Sequence, residues 1–326
     1  MKKEKLFIIP VFLPWAGCKS RCIYCNETAL TGLERFKPDD YNEEALDRQV
    51  ESYLSYSKDP KTVQIAFFGG TFSNLEKEIQ TRYLKWATKW ITKGSVDSIR
   101  LSTGPVGLDN ETLQLYKATK CRSIEIGVQS FDDDVLKHNN RAHDAKAAES
   151  AVRKLIDHGF EVGIHLMTGL YRSNDTGDLD SLKRAVALKP DTIRVHPTLV
   201  LTNTPLEILY RNGGYIPLTL RNAVEQMGVM KRFVESRGIR LNRVGLFIPS
   251  GLEKNIVAGP YTPSFGDMVK TMELVYSIKD QIEEAGQVVI TKPQQDRLKG
   301  YRGFFQPYLT PLYEKKQIAI RECVKK

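Results

Sequence analysis

Cysteine is scarce in this chain, with five among 326 residues. A small, odd number argues against a disulfide framework, the device by which short secreted domains make up for a core they cannot build. With 41% apolar and 27% charged residues, a chain of this length buries a core of its own, as one large domain or a domain with a small appendage. Long hydrophobic runs are missing too. Near the N-terminus, LFIIPVFLPWAG is too short and too broken by proline to span a bilayer, and no small-residue cleavage site follows it. Neither a membrane segment nor a secretory leader is expected, and the chain reads as cytoplasmic. It carries no low-complexity tract and no clear internal repeat, which sets aside the disordered and fibrous classes.

The little cysteine there is, is clustered. AGCKSRCIYCNE places Cys18, Cys22 and Cys25 in a CxxxCxxC pattern. Thiols stay reduced in the cytoplasm, so metal binding fits this cluster better than a disulfide. A structural zinc site wants four ligands, usually as two spaced pairs, and neither Cys121 nor Cys323 belongs to a second pair. Three soft thiolates are what a cubic 4Fe–4S cluster needs if one iron is to stay open to a small ligand. Fortuitous clustering and a zinc knuckle completed from elsewhere in the chain are the alternatives.

KLFIIPVFL, TVQIAFFGG, SIRLST, SIEIGVQS, FEVGIHLMTGL and DTIRVHPTLV are β-branched apolar runs, each too short for a helix and most ended by turn residues. They read as buried parallel strands. Between them lie stretches of helical period such as EEALDRQVESYLSYS, EIQTRYLKWATKWI, AAESAVRKLIDHGF and DLDSLKRAVALK. The alternation predicts an α/β fold, a partial or full TIM-like barrel, with functional residues at the C-terminal ends of the strands. The cysteine loop follows the first strand, as that rule requires. After the second comes FFGGTFSNL, where Gly69 and Gly70 suit close approach of backbone to a ligand and Thr71 and Ser73 suit hydrogen bonding or capping of the next helix.

The three-cysteine spacing is the signature of radical S-adenosylmethionine (SAM) enzymes, which this chain resembles. IEIGVQSFDDDVLKHNNRAH, GFEVGIHLMTGL, VHPTLVLTNTPLEILYRNGGYIPLT and VAGPYTPSFGDMV narrow the likeness. They look like the radical SAM portion of the elongator catalytic subunit and its shorter bacterial and archaeal relatives, and more distantly like oxygen-independent coproporphyrinogen oxidase. The resemblance implies a radical SAM barrel core over residues 1–250 and a basic, aromatic C-terminal extension over 251–326. It also implies a 4Fe–4S cluster on Cys18, Cys22 and Cys25 whose open iron takes the amino and carboxylate groups of SAM. Reductive cleavage would then give a 5′-deoxyadenosyl radical, with the electron drawn from a donor such as flavodoxin or ferredoxin. Tyr24 would lie beside the adenine, and Gly69, Gly70 and Thr71 at the SAM amino group. Gln129 and Arg141 would face the methionine or ribose, Arg141 pairing the carboxylate, and His165 would lie near the ribose. A surface arginine and a satisfied barrel histidine are the plainer readings of Arg141 and His165. Glu125, an acid inside a barrel strand, needs a basic partner or a ligand amine.

The chain also departs from the pattern. STGPVG stands where relatives read STRPD, so Gly104 replaces an arginine and Gly107 extends a flexible turn. MTGLYRS stands where they read MPGLPGS, placing Thr168, Tyr171 and Arg172 on the expected substrate face. Too few residues follow VAGPYTPSFGDMV for the acetyltransferase domain of the full elongator subunit, so acetyl-CoA hydrolysis is not expected.

Residues 286–326 hold an excess of six of the chain's formal net charge of +9, interleaved with Tyr301, Phe304, Phe305, Tyr308 and Tyr313. Such a mixture suits phosphate contact and base stacking, or else a segment docked on the barrel with its lysines in water. The resulting expectation is a radical SAM enzyme acting on RNA, tRNA foremost. A radical SAM enzyme acting on a small metabolite or peptide, and a metal-stabilised nucleic-acid-binding protein without catalysis, are the other two readings.

Overall fold

The computed structural model describes residues 6–56 and 62–321. In chain order its strands are β1 (Leu6–Phe12), β2 (Thr62–Phe68), β3 (Ser98–Thr103), β4 (Cys121–Gln129), β5 (Glu161–Thr168), β6 (Thr192–Pro197), β7 (Val200–Leu201), β8 (Arg240–Val244), β9 (Ile256–Ala258), β10 (Val288–Thr291) and β11 (Ile318–Arg321). Its α-helices are α1 (Glu27–Thr31), α2 (Glu43–Tyr56), α3 (Lys77–Thr92), α4 (Asn110–Ala118), α5 (Asp133–His138), α6 (Ala145–Asp157), α7 (Asp175–Ala187), α8 (Pro205–Arg211), α9 (Leu220–Glu235), α10 (Phe265–Ala285), α11 (Lys292–Gly303) and α12 (Gln306–Glu314).

One seven-stranded sheet runs β1-β2-β3-β4-β5-β6-β8 with every neighbouring pair parallel. Because β1 and β8 do not pair with each other, the barrel is partial, and a parallel sheet of this kind needs helical crossovers on its outside. Six of the strands coincide with the apolar runs. The seventh, β8, has no such run: its Arg240, Asn242 and Arg243 are exposed, the polar dressing expected of an edge.

The central strands β2 to β6 are largely buried, with their apolar side chains gathered mainly on one face. Ile65, Phe67, Ile99, Leu101, Ile124, Ile126, Val162, Ile164, Ile193 and Val195 sink into the main hydrophobic cluster under the helices, where the Phe67 ring meets Tyr83 and Trp86 of α3 at 5.7 and 6.3 Å. The alternate positions point inward and are largely polar: Gln64, Ser98, Arg100, Ser123, Glu125, His165 and Arg194 bond one another across the interior. A polar interior at full burial demands that these groups satisfy each other. They do so, Arg194 Nε excepted, through a network described below.

Beyond β8 the chain folds back, β9 pairing antiparallel with β7, and Asn255 Nδ2 donates to Ala29 O at 2.9 Å. From the other side Asn26, which caps α1, donates through Nδ2 to Thr202 O at 2.7 Å. These two amides fasten the helix after the cysteine loop to the far half of the barrel. The hydrophobic cluster continues without a break through Met272 and Val275 of α10 into Val288, Leu298, Phe305, Leu309 and Ile318. Among the described residues no helix is long and apolar enough to cross a membrane.

Candidate active site

The cysteine loop leaves β1 and lies against the segment that leaves β2. Trp15 N donates to Gly69 O and Thr71 N to Ala16 O, each at 2.7 Å, and Asn74 Nδ2 donates to Gly17 O at 2.7 Å. The contact is so close that a Cβ on Gly70 would fall 2.2 Å from Ala16 O. Gly70 is therefore required by the cysteine loop itself, whatever ligand is near. Thr71 brings its hydroxyl 3.5 Å from Cys18 Sγ. It does not cap the next helix. Nor does Ser73, whose Oγ donates to Val106 O at 2.6 Å and so ties this segment to STGPVG. In that turn Gly107 has φ +68° and a Cβ there would lie 2.4 Å from Ser73 O, so the turn read as flexible is packed tight.

Cys18, Cys22 and Cys25 are free thiols, half-buried on one loop. Burial raises the Cys18 thiol above its usual range and raises Cys25 further, with the neighbouring Glu27 carboxylate adding to the effect. Cys121 is fully enclosed, raised by burial, and stands apart on β4. Cys323 lies outside the described residues.

Opposite the loop stands Arg141. Its Nη1 donates to Cys22 Sγ at 3.1 Å and to Tyr24 OH at 3.5 Å, and its Nη2 donates to Gly127 O. Its Nε is buried without a partner. Two asparagines before it hold the same loop: Asn140 Nδ2 donates to Arg21 O at 2.7 Å, and Ile23 N donates to Asn139 O at 3.4 Å. Gln129, in a left-handed conformation with φ 71°, ends β4 next to them. A side chain on Gly127 would come within 3.0 Å of Gln129 Nε2 and 3.8 Å of Arg141 Nη2. The structure thus gathers Cys18 with Thr71, and Cys22 with Tyr24, Arg141, Gly127 and Gln129.

His165 belongs to a second constellation. Its Nε2 bonds Glu125 Oε2, while Arg100 Nη1 and Arg194 Nη2 donate to Oε1 of the same carboxylate at 2.6 and 2.8 Å. Glu125 is fully buried, and burial alone would raise its carboxyl. The charges of His165, Arg194 and Arg100 outweigh that and bring it down to about 2. Its partners are bases of the barrel, the first of the two possibilities its position raised. Arg100 and Arg194 were invisible to apolar-run reading. The signal that would have found them is the polar half of the strand alternation.

Thr168, Tyr171 and Arg172 sit at the end of β5 and just after it. Arg172, at φ 71°, lies 5.4 Å from the Tyr171 ring, and Tyr171 O accepts from Asn139 Nδ2 at 2.8 Å. The aromatic tail is used internally. Phe305 is fully buried, with Phe304 and Tyr301 rings 4.9 and 5.8 Å away. Arg221 of α9 lies 4.8 Å from Phe304 and donates to Tyr308 OH at 2.8 Å. These contacts dock the tail on the barrel, and Tyr301 and Phe304 are half-buried rather than free.

Among the described residues no three His, Cys, Asp or Glu side chains converge tightly enough to hold a single metal ion. The donor set suits a cluster better: a cubane presents separate irons to separate thiolates, and its assembly displaces the thiol protons. The guanidinium that donates to Cys22 Sγ has an unused Nε, which offers a donor to an incoming carboxylate.

Comparison with known proteins gives the family. The Radical SAM superfamily matches residues 12–185, and the Radical SAM C-terminal domain matches residues 190–273. A tRNA uridine(34) acetyltransferase of Dehalococcoides mccartyi is 26% identical over 281 residues, covering 74% of this chain and 60% of that protein. Elongator complex protein 3 of Mus musculus is 29% identical, covering 51% of this chain and 34% of its own length. The chain therefore spans about a third to three fifths of these curated relatives. In fold it is similar to archaeal Elp3 of Methanocaldococcus infernus, with a TM-score of 0.67 at 17% identity over 88% of this chain and 69% of that one. With its superfamily match spanning more than half its length, the chain belongs to the Radical SAM superfamily and is a radical SAM enzyme.

Proposed function

We propose that Cys18, Cys22 and Cys25 hold a 4Fe–4S cluster, that SAM binds beside it, and that the reaction modifies RNA, tRNA foremost. The observation that carries this reading is the meeting of the cysteine loop with a buried guanidinium whose Nε is unused. When bound, the cluster and SAM supply the hard chemistry, reductive scission of the sulfonium to a 5′-deoxyadenosyl radical, with an electron from a flavodoxin- or ferredoxin-like donor. The chain's own residues bind, orient and exclude water. Arg141 pairs the SAM carboxylate through Nε while its Nη1 stays on Cys22 Sγ. Gly69, Gly70 and Thr71 offer backbone and hydroxyl to the SAM amino group, Tyr24 shields the adenine, and Gln129 and His165 face the ribose side. His165 is held for that role by Glu125, which fixes the ring through Nε2.

RNA is supported by what the relatives are named for, since a tRNA uridine(34) acetyltransferase is among them. A second reading, a small metabolite or peptide as substrate, draws on the tail: Phe304 and Tyr308 pack on Arg221 of α9 and Phe305 is buried, which takes part of its aromatic surface away from base stacking. Anaerobic reconstitution followed by measurement of 5′-deoxyadenosine formation, with and without tRNA, tests both. Formation stimulated by tRNA upholds the first reading. Stimulation only by a small-molecule fraction of cell extract upholds the second, and no SAM cleavage in any condition overturns the catalytic proposal.

A further inference from the structure

One level of the sheet carries an unusual row. In register, Gly127 on β4 faces His165 on β5, His165 faces Arg194 on β6, and Arg194 faces Arg243 on β8. Two arginines directly opposite one another on adjacent strands repel, and such pairs destabilise a sheet unless something bridges them. Among the described residues nothing does so here. Arg194 spends Nη2 on Glu125, and its Nε is buried without a partner. Arg243, exposed on the edge strand, has no ion pair or side-chain hydrogen bond among the described residues.

The inner face around this row is also short of negative charge. One carboxylate, Glu125, already serves Arg100, His165 and Arg194 together. His196, two residues along β6, has its ring 6.2 Å from that of His165 and spends Nδ1 on Gly245 O at 2.8 Å. Burial first, then the neighbouring His165 and Arg194, push the His196 ring down to about 3, and it stays uncharged near neutrality. Burial also lowers Arg194, with Glu125 opposing and Arg243 and Arg100 reinforcing the drop. A buried guanidinium with spare donors beside an unpaired one is the arrangement that receives a forked oxyanion.

We propose that Arg194 and Arg243 form a subsite for an oxyanion of the substrate, a phosphate or a carboxylate, at the inner face of the barrel between β6 and β8. Glu125 holds Arg194 in place from behind, and the anion neutralises the pair from the front. The subsite lies on the β6–β8 side of His165, two strands from the Gly127 carbonyl that Arg141 takes, which leaves the SAM carboxylate to Arg141. It rests on the reading that the barrel holds a substrate, but binding of an anion needs neither SAM nor reductant, so the two can fail separately.

The test is thermal unfolding of the full-length, anaerobically purified protein in potassium phosphate and in potassium acetate, each against potassium chloride of equal ionic strength. Wild type is expected to rise in Tm saturably with at least one of the two anions. Phosphate alone assigns a phosphate-bearing substrate, and acetate in addition admits a carboxylate. Arg194→Gln strips Glu125 of a partner and risks the fold, so Arg243 on the exposed edge is varied instead. Arg243→Gln should weaken the anion response about tenfold or more, as loss of one charged partner from a forked contact does. Arg243→Glu should bridge to Arg194 itself, melting higher than wild type in chloride and responding to neither anion. The proposal is overturned if wild type responds no more than in chloride, if Arg243→Gln responds as wild type does, or if Arg243→Glu gains nothing in chloride.

Discussion

Arg141 reaches Cys22 across 119 residues of sequence, its Nη1 3.1 Å from the sulfur. A cation at that sulfur links the loop that would hold a cluster to the strand end that would hold SAM, since the same guanidinium also donates to Gly127 O. Substituting Arg141 by Ala should therefore weaken SAM binding by about 1.5–3 kcal/mol, the worth of a hydrogen bond to a charged group. Lysine should rescue it poorly, because an ammonium concentrates its donors on one atom and lacks the planar fork that reaches sulfur, carbonyl and carboxylate from separate nitrogens. Equilibrium SAM binding on the iron-loaded variants, with the visible spectrum as control for the cluster, checks this; unchanged affinity in Arg141→Ala would remove Arg141 from the SAM site.

Cys18→Ala, Cys22→Ala and Cys25→Ala should each lose most of the bound iron after anaerobic reconstitution. Cys121→Ala should keep it, because Cys121 is enclosed on β4 away from the loop. Iron content per chain is the measurement. A Cys121 variant that loses iron while a Cys22 variant retains it would reverse the ligand assignment.

Glu125 should make the fold acid-sensitive. Its carboxyl is depressed from 4.5 to about 2 in the folded chain. The stability it confers is present above the unfolded value and is lost as pH falls from about 4.5 through about 2. Glu125→Gln leaves Arg100 and Arg194 facing no charge and should destabilise by roughly 3–5 kcal/mol near neutrality. Denaturant titrations of both proteins from pH 7 to pH 3 should show the gap between them narrowing toward acid, and a constant gap would mean the carboxylate is not the group that titrates.

Asp178 should act in the opposite sense. It is buried at the start of α7, where its Oδ2 accepts from Gly169 N at 2.9 Å and Gln226 Nε2 at 3.2 Å. Burial raises its carboxyl from 3.8 to about 6, more than these bonds lower it. The unfolded chain loses this proton first, so its contribution to stability falls as pH rises from about 4 to about 6 and then levels off. Asp178→Asn keeps an acceptor for Gly169 N and should be ~1–3 kcal/mol more stable than wild type at pH 7.5, with no difference at pH 4. Greater stability at both pH values, or a loss at pH 7.5, would contradict this.

The tail should answer to packing more than to charge. Phe305→Ala removes a fully buried ring and should cost about 3–5 kcal/mol of stability, readable as a large drop in Tm. Replacing Lys299 and Arg302, both exposed, by Gln should leave Tm within the spread of ordinary surface changes. If tRNA binds through these charges, the same double variant should flatten the plot of log affinity against log salt by up to about 1.4, at roughly 0.7 per single-strand phosphate contact. Coincident salt slopes would take the tail out of RNA binding.

The sequence by itself determined the placing of the three thiols proposed as cluster ligands on one loop and six of the seven barrel strands. Three thiols on one short loop stay close whatever the fold does, and a β-branched run ended by turn residues declares a strand from local preference alone. Residues whose meaning depends on register were another matter. Glu125 finds Arg194 69 positions away and Arg100 25 positions away, and which strand neighbours face one another is set by hydrogen-bond pairing across the sheet, which no single stretch encodes. β8 escaped notice because an edge strand needs no apolar run. The tail's aromatics could as well have stacked on bases as on protein until Arg221, 87 positions before Tyr308, supplied the surface on which they rest. Local composition decides what a segment can be. Only long-range packing, which fixes what each face of it touches, decides which of those possibilities the folded chain uses.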